Sequence, residues 1–256
     1  MIGVIAGDVI GSIHEHGGTK SVNFPLFHHQ CRFTDDTVMT VASAYAILHR
    51  QPYKDAYLRF GRQYPNAGYG ESFHRWLFAA APAPYNSWGN GSAMRVAPVG
   101  FAFDTVDDVL REAERSAAVT HDHPEGIKGA QATALAVFMG RSGATKEDIR
   151  EELIRRFGYD LRRTIEQIRP TYRWDVSCAG SVPEAITAFL DSTDVEGAIR
   201  LAISLGGDAD TQAAIAGGIA EAFYRGVPAD IVDATRKRLP SEFLEVVDDF
   251  EREFPL

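Results

Sequence analysis

The sequence predicts an all-α fold, and three observations lead to that class. Most segments with a clear hydrophobic period repeat their apolar residues at three- and four-residue steps, as one face of a helix does. Several of these segments begin at a capping residue or a proline, and some end at glycine. No stretch alternates apolar and polar residues between turn dipeptides, so nothing in the sequence requires a sheet.

Four segments of the N-terminal and central chain read as helices. The first follows Thr34, a good N-cap, and runs through DDTVMTVASAYAILHR. Its apolar stripe consists of Val38, Val41, Ala42, Tyr45 and Leu48. Three more helices follow start signals: Pro124 before GIKGAQATALAVFMG, Thr145 before KEDIREELIRRFG, and Ser181 before VPEAITAFLDS.

The C-terminal half is predicted to be a chain of helices. The segments are DVEGAIRLAISLGG, DTQAAIAGGIAEAFYRG, PADIVDATRKRL and PSEFLEVVDDFERE. At the other end, Gly3, Gly7 and Gly11 recur every four residues, which on a helix makes a smooth face for close packing. Residues 14–33 and 64–91 are predicted to be irregular, and loops of this composition on a helical scaffold often carry function.

Composition and charge restrict the class of protein. With 256 residues, 45% of them hydrophobic and 24% charged, the chain fits one globular domain spanning residues 1–256. A net charge of −9 argues against a protein that binds nucleic acid phosphates over a broad surface. Cys31 and Cys178 match no zinc or disulfide pattern. The N-terminus lacks a basic secretory n-region, and prolines and glycines interrupt residues 76–94, so a cytoplasmic protein without a membrane span is expected.

Two polar groups occur at helix starts near opposite ends of the chain. Thr34, Asp35 and Asp36 open one helix, where simple capping is the more common explanation. Asp208, Asp210 and Thr211 open another after two glycines, an arrangement that suits a hard cation such as magnesium. Carboxylates beside apolar helices are costly unless a cation neutralises them. Two close divalent ions would explain both groups.

Two further polar residues have open roles. Glu15 begins the first irregular segment, where it is either a surface acid or a mobile carboxylate that reaches the metals. Arg95 either extends into a cleft or pairs with an acid on a neighbouring helix, and the ion pair is the favoured interpretation.

Six segments in order resemble the ADP-ribosylglycohydrolase superfamily. They are GDVIGSIHE, FTDDTVM, NAGYG, SWGNGSAMRVAPVG, THDHPEGIKGAQATALAV and GGDADTQAAIAGGIAEAFYRG, and together they span nearly the whole chain. Each motif is short, but six in one order make coincidence hard to sustain. The resemblance implies an orthogonal multi-helix bundle with a binuclear metal cleft.

The resemblance also implies a site and a reaction. It implies two Mg²⁺ ions, held by six residues: Thr34, Asp35, Asp36, Asp208, Asp210 and Thr211. It implies substrate-binding positions at Gly68, Tyr69, Gly70, Ser87, Trp88, Gly89, Asn90 and His121, with backbone donors for a diphosphate in both glycine-rich segments. The expected reaction releases ADP-ribose from a modified acceptor. A protein side chain is the expected acceptor, with a small molecule or a nucleic acid as other modified substrates. Asp36 or Glu15 would transfer the proton as acid or base.

Two alternatives remain beside this interpretation. An all-α isoprenoid synthase also binds a diphosphate through aspartates, but Asp35-Asp36 lacks the usual DDxxD run. A protein that keeps the fold without turnover, such as an ADP-ribose-binding or crystallin-like protein, would be expected to lose metal ligands, and all six matching positions are present. The acceptor linkage, the division of acid and base roles and the oligomeric state stay open.

Overall fold

The computed structural model describes residues 1–256, and its regular structure is helical, which confirms the predicted all-α class. The only strand-like pairing is an isolated bridge between Gly89 and Ser177. The fifteen helices are α1 Ile2–Gly11, α2 Asp35–Leu48, α3 Tyr53–Gln63, α4 Glu71–Leu77, α5 Gly91–Met94, α6 Ala97–Ala102, α7 Val106–Ala117, α8 Pro124–Arg141, α9 Lys146–Phe157, α10 Ile165–Ile168, α11 Cys178–Asp191, α12 Val195–Ile203, α13 Ala209–Tyr224, α14 Ala229–Arg236 and α15 Ser241–Glu253.

Helix α13 is the central element of the fold. It packs against α1, α8, α11 and α12, and nearly all of its side chains are buried. Its closest neighbour is α1, and the glycine stripe explains the contact: a Cβ at Gly7 would lie 2.1 Å from the carbonyl oxygen of Ala213. A Cβ at Gly11 would lie 2.5 Å from the Asp210 Cα. The predicted packing role of these glycines is therefore confirmed, and it brings the end of α1 beside the start of α13.

Several predicted helix starts agree with the structure, and one is wrong. Thr34 caps α2 by accepting a hydrogen bond from the Asp36 N–H at 3.3 Å, and Thr145 forms a capping box with Asp148. Helix α11 begins at Cys178 rather than after Ser181. Ser177 is the actual cap, accepting from the Gly180 N–H at 2.9 Å. Pro183 then lies inside the helix as its sixth residue, where its missing N–H removes one backbone hydrogen bond.

The two segments predicted to be irregular differ. Residues 14–33 form turns and contain no helix. Residues 64–91 contain α4, so the prediction of an irregular segment is wrong there. Phe73, Trp76 and Leu77 are buried on one face of α4, and three- and four-residue spacing of such side chains stabilises even a short helix by tertiary packing.

One cluster of 69 buried hydrophobic residues runs through the helices. No helix combines the length and the apolar character needed to cross a bilayer. The prediction of one domain over residues 1–256 is not tested by this packing and stays a prediction.

Candidate active site

The starts of α2 and α13 and the end of α1 meet at a group of carboxylates. Carboxylate oxygens of Asp8, Asp36 and Asp210 lie within 4.8 Å of one another, and so do those of Glu15, Asp208 and Asp210. These are the only such groups of potential metal ligands in the molecule. The name acidic wall is used below for five of the carboxylates: Glu15, Asp35, Asp36, Asp208 and Asp210.

Thr211 connects the two halves of the acidic wall. Its hydroxyl donates to the Oδ2 atom of Asp36 at 3.2 Å, across 175 positions of sequence. The Thr34 hydroxyl lies 3.5 Å from the same oxygen. The other oxygen of Asp36, Oδ1, is buried and has no hydrogen-bond partner. A buried carboxylate oxygen without a partner is costly, so this atom is free to accept a ligand bond that the chain itself does not supply.

Asp8 lies in a polar cluster near the N-terminus, and its role could not be assigned from the sequence. Its carboxylate accepts from the Thr34 N–H at 2.9 Å, the Thr34 hydroxyl at 2.7 Å and the Thr37 N–H at 3.1 Å, and also from the Thr37 hydroxyl. Both Asp8 oxygens are therefore occupied, and the residue fixes the first turn of α2 from α1. A signal was present in the sequence, because Asp8 is the one charged residue of a ten-residue helix that is buried throughout.

Burial and mutual repulsion disturb the titration of these acids. Burial is the larger cause, and the neighbouring carboxylates add to it, so that the pKa of Asp35 rises to about 8. The pKa values of Asp36 and Asp210 rise well above the ordinary range for the same two reasons. The pKa of Asp208 is also raised by burial, against a lowering hydrogen bond from Asn90. Groups that resist ionisation in the protein alone are suited to bind a cation, which would favour their charged forms.

The donor set fits a hard divalent cation. Carboxylates and threonine hydroxyls supply oxygen only, and no cysteine or histidine belongs to either carboxylate group. Asp36 and Asp210 are buried, whereas Asp35 is half-buried and belongs to neither group. The Oδ1 atom of Asp35 instead faces Gly68, where a Cβ would lie 3.2 Å away. Asp35 thus links the acidic wall to the loops opposite.

A cavity of about 580 Å³ opens above the acidic wall. All the residues predicted to form the site line it except Thr34, Tyr69 and Asp210. Thr34 and Asp210, the latter a member of the acidic wall, are buried and do not reach the cavity surface. The Tyr69 ring stacks on Phe73 with its hydroxyl buried and unpaired. The size is within the range of small-molecule and cofactor sites.

The opposite side of the cavity is formed by residues 68–70, residues 87–91 and His121, and is called the loop wall below. The N–H groups of Gly68, Tyr69 and Gly70 make no hydrogen bond within the chain. These N–H groups are therefore available to a ligand, and their role as backbone donors to a diphosphate stays a prediction. The positive φ of Gly68, +114°, is a conformation that side-chain-bearing residues rarely adopt, so glycine is needed there.

The corresponding prediction for residues 87–90 is wrong for three of the four N–H groups. Ser87 donates to the Thr120 carbonyl at 3.4 Å, Gly89 donates to the Ser87 hydroxyl at 3.2 Å, and the Asn90 N–H donates to the Val176 carbonyl at 2.8 Å. Only the Trp88 N–H makes no hydrogen bond in the chain. The pairing of this segment with the start of α11 uses the Asn90 N–H, whereas the other two donors bond to Thr120 and within the segment itself.

The Asn90 side chain supports the acidic wall from the loop wall. Its amide donates to the Oδ2 atom of Asp208 at 2.7 Å and to the Ser181 hydroxyl at 3.2 Å. Asn90 therefore orients a predicted metal ligand, a task different from the diphosphate contact expected for it. Such outer contacts commonly fix the geometry of ligating carboxylates.

Arg95 does not form the ion pair that was favoured from the sequence. Its side chain is 0% exposed, lines the cavity and has no carboxylate within salt-bridge distance. The guanidinium lies over the Tyr57 ring at 4.4 Å and donates from Nη2 to the Thr120 hydroxyl at 2.9 Å. Aromatic faces and neutral acceptors thus replace an acid as its partners.

Two tryptophans stand at the mouth of the cavity. Trp88 is 52% exposed and Trp174 is 47% exposed, and both line the opening. Trp88 was expected from the sequence, and Trp174 was not. Glu15 lies at the same opening, half-buried, and burial raises its pKa. No periodicity marked Trp174, because it lies in an irregular stretch ahead of α11.

Comparisons with known proteins agree with the fold and with the clustered carboxylates. The model of the ADP-ribosylglycohydrolase family matches residues 1–255. The human ADP-ribosylhydrolase ARH3 is 30% identical over 88% of this chain and 84% of its own length. The ADP-ribosylarginine hydrolase Tri1 of Pseudomonas putida is 26% identical over 91% of this chain and 72% of its own. A solved structure described as an ADP-ribosylglycohydrolase-related protein complex superposes with a TM-score of 0.75 at 28% identity, covering 98% of this chain and 95% of that one.

Proposed function

This chain belongs to the ADP-ribosylglycohydrolase family, and from that premise we propose that it is a magnesium-dependent hydrolase that releases ADP-ribose from a modified acceptor. The acceptor is a protein side chain in this proposal. A modified small molecule or nucleic acid would present the same ADP-ribose group to the cavity. The reaction belongs to glycosidic bond hydrolysis, in which the anomeric carbon gains positive character before water adds.

One observation carries the proposal: buried acids from opposite ends of the chain meet at the floor of a cavity, and the Oδ1 atom of Asp36 has no partner. The isoprenoid synthase alternative loses support, because the family match spans the chain. A structural protein without turnover would gain nothing from keeping this costly arrangement.

Two Mg²⁺ ions are the proposed cofactors, with Thr34, Asp35, Asp36, Asp208, Asp210 and Thr211 as the residues that would hold them. The donors are all oxygen atoms, as this ion prefers. When bound, Mg²⁺ would supply positive charge that polarises ligand oxygens and lowers the pKa of water. Asp8 and Asn90 would not bind the ions themselves in this proposal. Asp8 accepts a hydrogen bond that holds Thr34 in place, and Asn90 donates one that holds Asp208 in place.

Proton transfer is assigned to Asp36 or Glu15. Hydrolysis requires that water give up a proton as it adds to the anomeric carbon and that the departing acceptor gain one. Glu15 is half-buried at the opening, and its raised pKa favours a carboxyl that can donate as well as accept. Asp36 lies at the floor, where Thr211 fixes its orientation. The two acids thus occupy different depths of the cavity, Glu15 at its opening and Asp36 at its floor.

The loop wall is proposed to bind the ADP part of the substrate. The free N–H groups of residues 68–70 suit the diphosphate, since backbone donors can approach its oxygens closely. Trp88 offers an exposed ring on which a base can stack, and base stacking on an aromatic ring is worth ~1–3 kcal/mol. His121 lines the same side. With ADP on the loop wall, the distal ribose reaches the acidic wall.

The test is the release of free ADP-ribose, measured by mass spectrometry, from arginine-, serine- and nucleic-acid-linked substrates. Each is assayed with Mg²⁺ and with a chelator. Release from one linkage that stops in chelator would support the enzyme, the metal and one acceptor together. Tight ADP-ribose binding without release from any substrate would instead support the binding protein.

Two further experiments test the remaining proposals. Fractionation of cells would test the proposed cytoplasmic location, and limited proteolysis would test the proposed single domain over residues 1–256.

A further inference from the structure

A short chain of hydrogen bonds lies behind the loop wall and ends at His121. The Nη2 atom of Arg95 donates to the Thr120 hydroxyl oxygen at 2.9 Å, and that oxygen lies 2.7 Å from the Nδ1 atom of His121. All three side chains are at most 4% exposed. Arg95 is held in turn by the Tyr57 ring and the Ser116 carbonyl, so the start of this chain is fixed by the core.

The direction of these hydrogen bonds follows from which of the atoms carry a proton to donate. A guanidinium can only donate, so the Thr120 oxygen accepts from Arg95. The threonine has one proton of its own, and Nδ1 of His121 is an acceptor at short distance for it. If Nδ1 accepts, the proton of a neutral imidazole must be on Nε2.

Nε2 faces the part of the cavity that a ligand would use. It makes no hydrogen bond within the chain, and a Cβ on Gly91 would lie 3.1 Å from it, and one on Gly89 3.7 Å. Glycine at these positions leaves open space around the nitrogen. Burial and the Arg95 charge lower the pKa of His121 well below its usual value, so the ring is neutral at pH 7.

We propose that Arg95 and Thr120 are positioning residues that hold His121 as its Nε2–H tautomer, so that it presents one hydrogen-bond donor to an acceptor oxygen of the ligand in the cavity. The choice of ADP-ribose as that ligand rests on the proposed function, whereas the tautomer is a property of the protein alone. The opposite arrangement has His121 donate from Nδ1 while the threonine proton turns to the Tyr85 hydroxyl, which also lies beside Thr120. It would present an acceptor to the ligand instead.

The experiment combines a spectroscopic and a binding measurement on the full chain. Two-bond ¹H–¹⁵N correlation spectra at pH 7 report which nitrogen of each histidine carries the proton, and Thr120 is changed to Val, which is isosteric but lacks the hydroxyl, or to Ser, which keeps it. The His121→Gln variant assigns the signals. Thr133→Val is the matched control, because Thr133 is equally buried but its hydroxyl has no partner. Circular dichroism verifies that each variant is folded.

The proposal expects the Nε2–H tautomer in the unaltered protein, in Thr120→Ser and in Thr133→Val. In Thr120→Val the signals shift toward the other tautomer, and the dissociation constant of ADP-ribose rises about tenfold, as loss of one oriented hydrogen bond predicts. An Nδ1–H tautomer in the unaltered protein would overturn the proposal, as would an unchanged tautomer and affinity in Thr120→Val. If Thr120→Val does not fold, the spectra of the unaltered protein and of Thr120→Ser decide. Failure of the unaltered protein to bind ADP-ribose would count against the proposed function, and the spectra would still decide the tautomer.

Discussion

The acidic wall and the loop wall face each other across one cavity, but they are built in opposite ways. The acidic wall takes most of its residues from the starts of α2 and α13, and most of its side chains are buried. The loop wall is made largely of irregular backbone and includes the half-exposed ring of Trp88. Helix starts hold most of the groups proposed for chemistry, with Glu15 as the exception, while loops hold most of those proposed for recognition. This contrast predicts that changes in the acidic wall affect turnover and changes in the loop wall affect affinity.

The largest effect is expected for Asp210→Ala. Asp210 belongs to both carboxylate groups, so its removal disturbs every proposed metal position near it. We expect turnover to fall about a thousandfold or more, because a catalytic metal supplies several kcal/mol and each 1.4 kcal/mol is tenfold in rate. Metal binding measured by calorimetry should be lost, with the helical circular dichroism retained. Asp230→Ala, an exposed helix position, is the control. Full activity of Asp210→Ala would sink the assignment of the acidic wall.

A smaller effect is expected for Glu15→Gln, which sharpens the contrast within the acidic wall. Glu15 is the member at the cavity opening, and its proposed role is proton transfer rather than ligand binding. We expect kcat to fall about a hundredfold, with the dissociation constant of ADP-ribose changed by less than about threefold. Glu71→Gln is a matched control, because Glu71 lines the same cavity but belongs to neither carboxylate group. Unaltered turnover in Glu15→Gln would make the residue a bystander.

The loop wall is tested at Gly70, where backbone geometry permits a clean exchange. Its φ of −56° suits proline, and a Cβ at this position would meet nothing within 4 Å. Gly70→Pro removes the N–H group, whereas Gly70→Ala keeps it. We expect Gly70→Pro to weaken ADP-ribose binding about tenfold or more, since hydrogen bonds to charged groups contribute ~1.5–3 kcal/mol, with kcat nearly unchanged. Equal affinities of the two variants, measured by calorimetry, would show that this N–H is not a ligand contact.

The contrast between helix starts and loops also explains which features of the site could be predicted from the sequence. The cap at Thr34 and the acids after it were visible because local hydrogen bonding sets helix starts. A close-packing face was visible in the spacing of Gly3, Gly7 and Gly11, although the sequence did not show that its partner is α13. The role of Asp8 was not visible, because its four hydrogen bonds come from a helix 26 to 29 residues away.

Loop geometry was less predictable for a related reason. Residues 68–70 and 87–90 both contain glycine beside an aromatic residue, yet only the first segment keeps all of its N–H groups free, and the second keeps only that of Trp88. The second pairs with the start of α11, a contact across about 90 residues that no local pattern encodes. The predicted ion pair of Arg95 was wrong for the same reason, because an aromatic face and a threonine hydroxyl take the place of the expected acid. Most residues predicted for the site line one cavity, and their membership of an active site stays a prediction. The division of tasks among them depends on tertiary contacts.

The smallest effect concerns the stability of the protein without metal. An Asp in the unfolded chain has a pKa of about 3.9. In the folded protein, burial and like charges raise the pKa of Asp35 to about 8 and hold the pKa of Asp36 well above its usual range. The folded state then binds more protons than the unfolded state, and its stability falls as the pH rises toward the folded pKa. The lowered pKa values of His14 and His121 act in the opposite direction, but only below about pH 6.5, where an unfolded histidine becomes protonated.

We therefore expect the melting temperature in chelator to fall between pH 7 and pH 8.5, by an amount on the order of 3 °C at ~2–4 °C per kcal/mol. Added Mg²⁺ should remove most of this fall, because a bound cation favours the charged carboxylates. Asp36→Asn should melt higher than the unaltered protein at pH 8.5 in chelator and depend less on pH, since one repulsive charge is gone. Differential scanning calorimetry measures both. A melting temperature that stays level or rises between pH 7 and pH 8.5 in chelator would mean that repulsion between the carboxylates of the acidic wall does not destabilise the fold. The acidic wall and the loop wall would then differ in their position in the fold but not in their electrostatic cost.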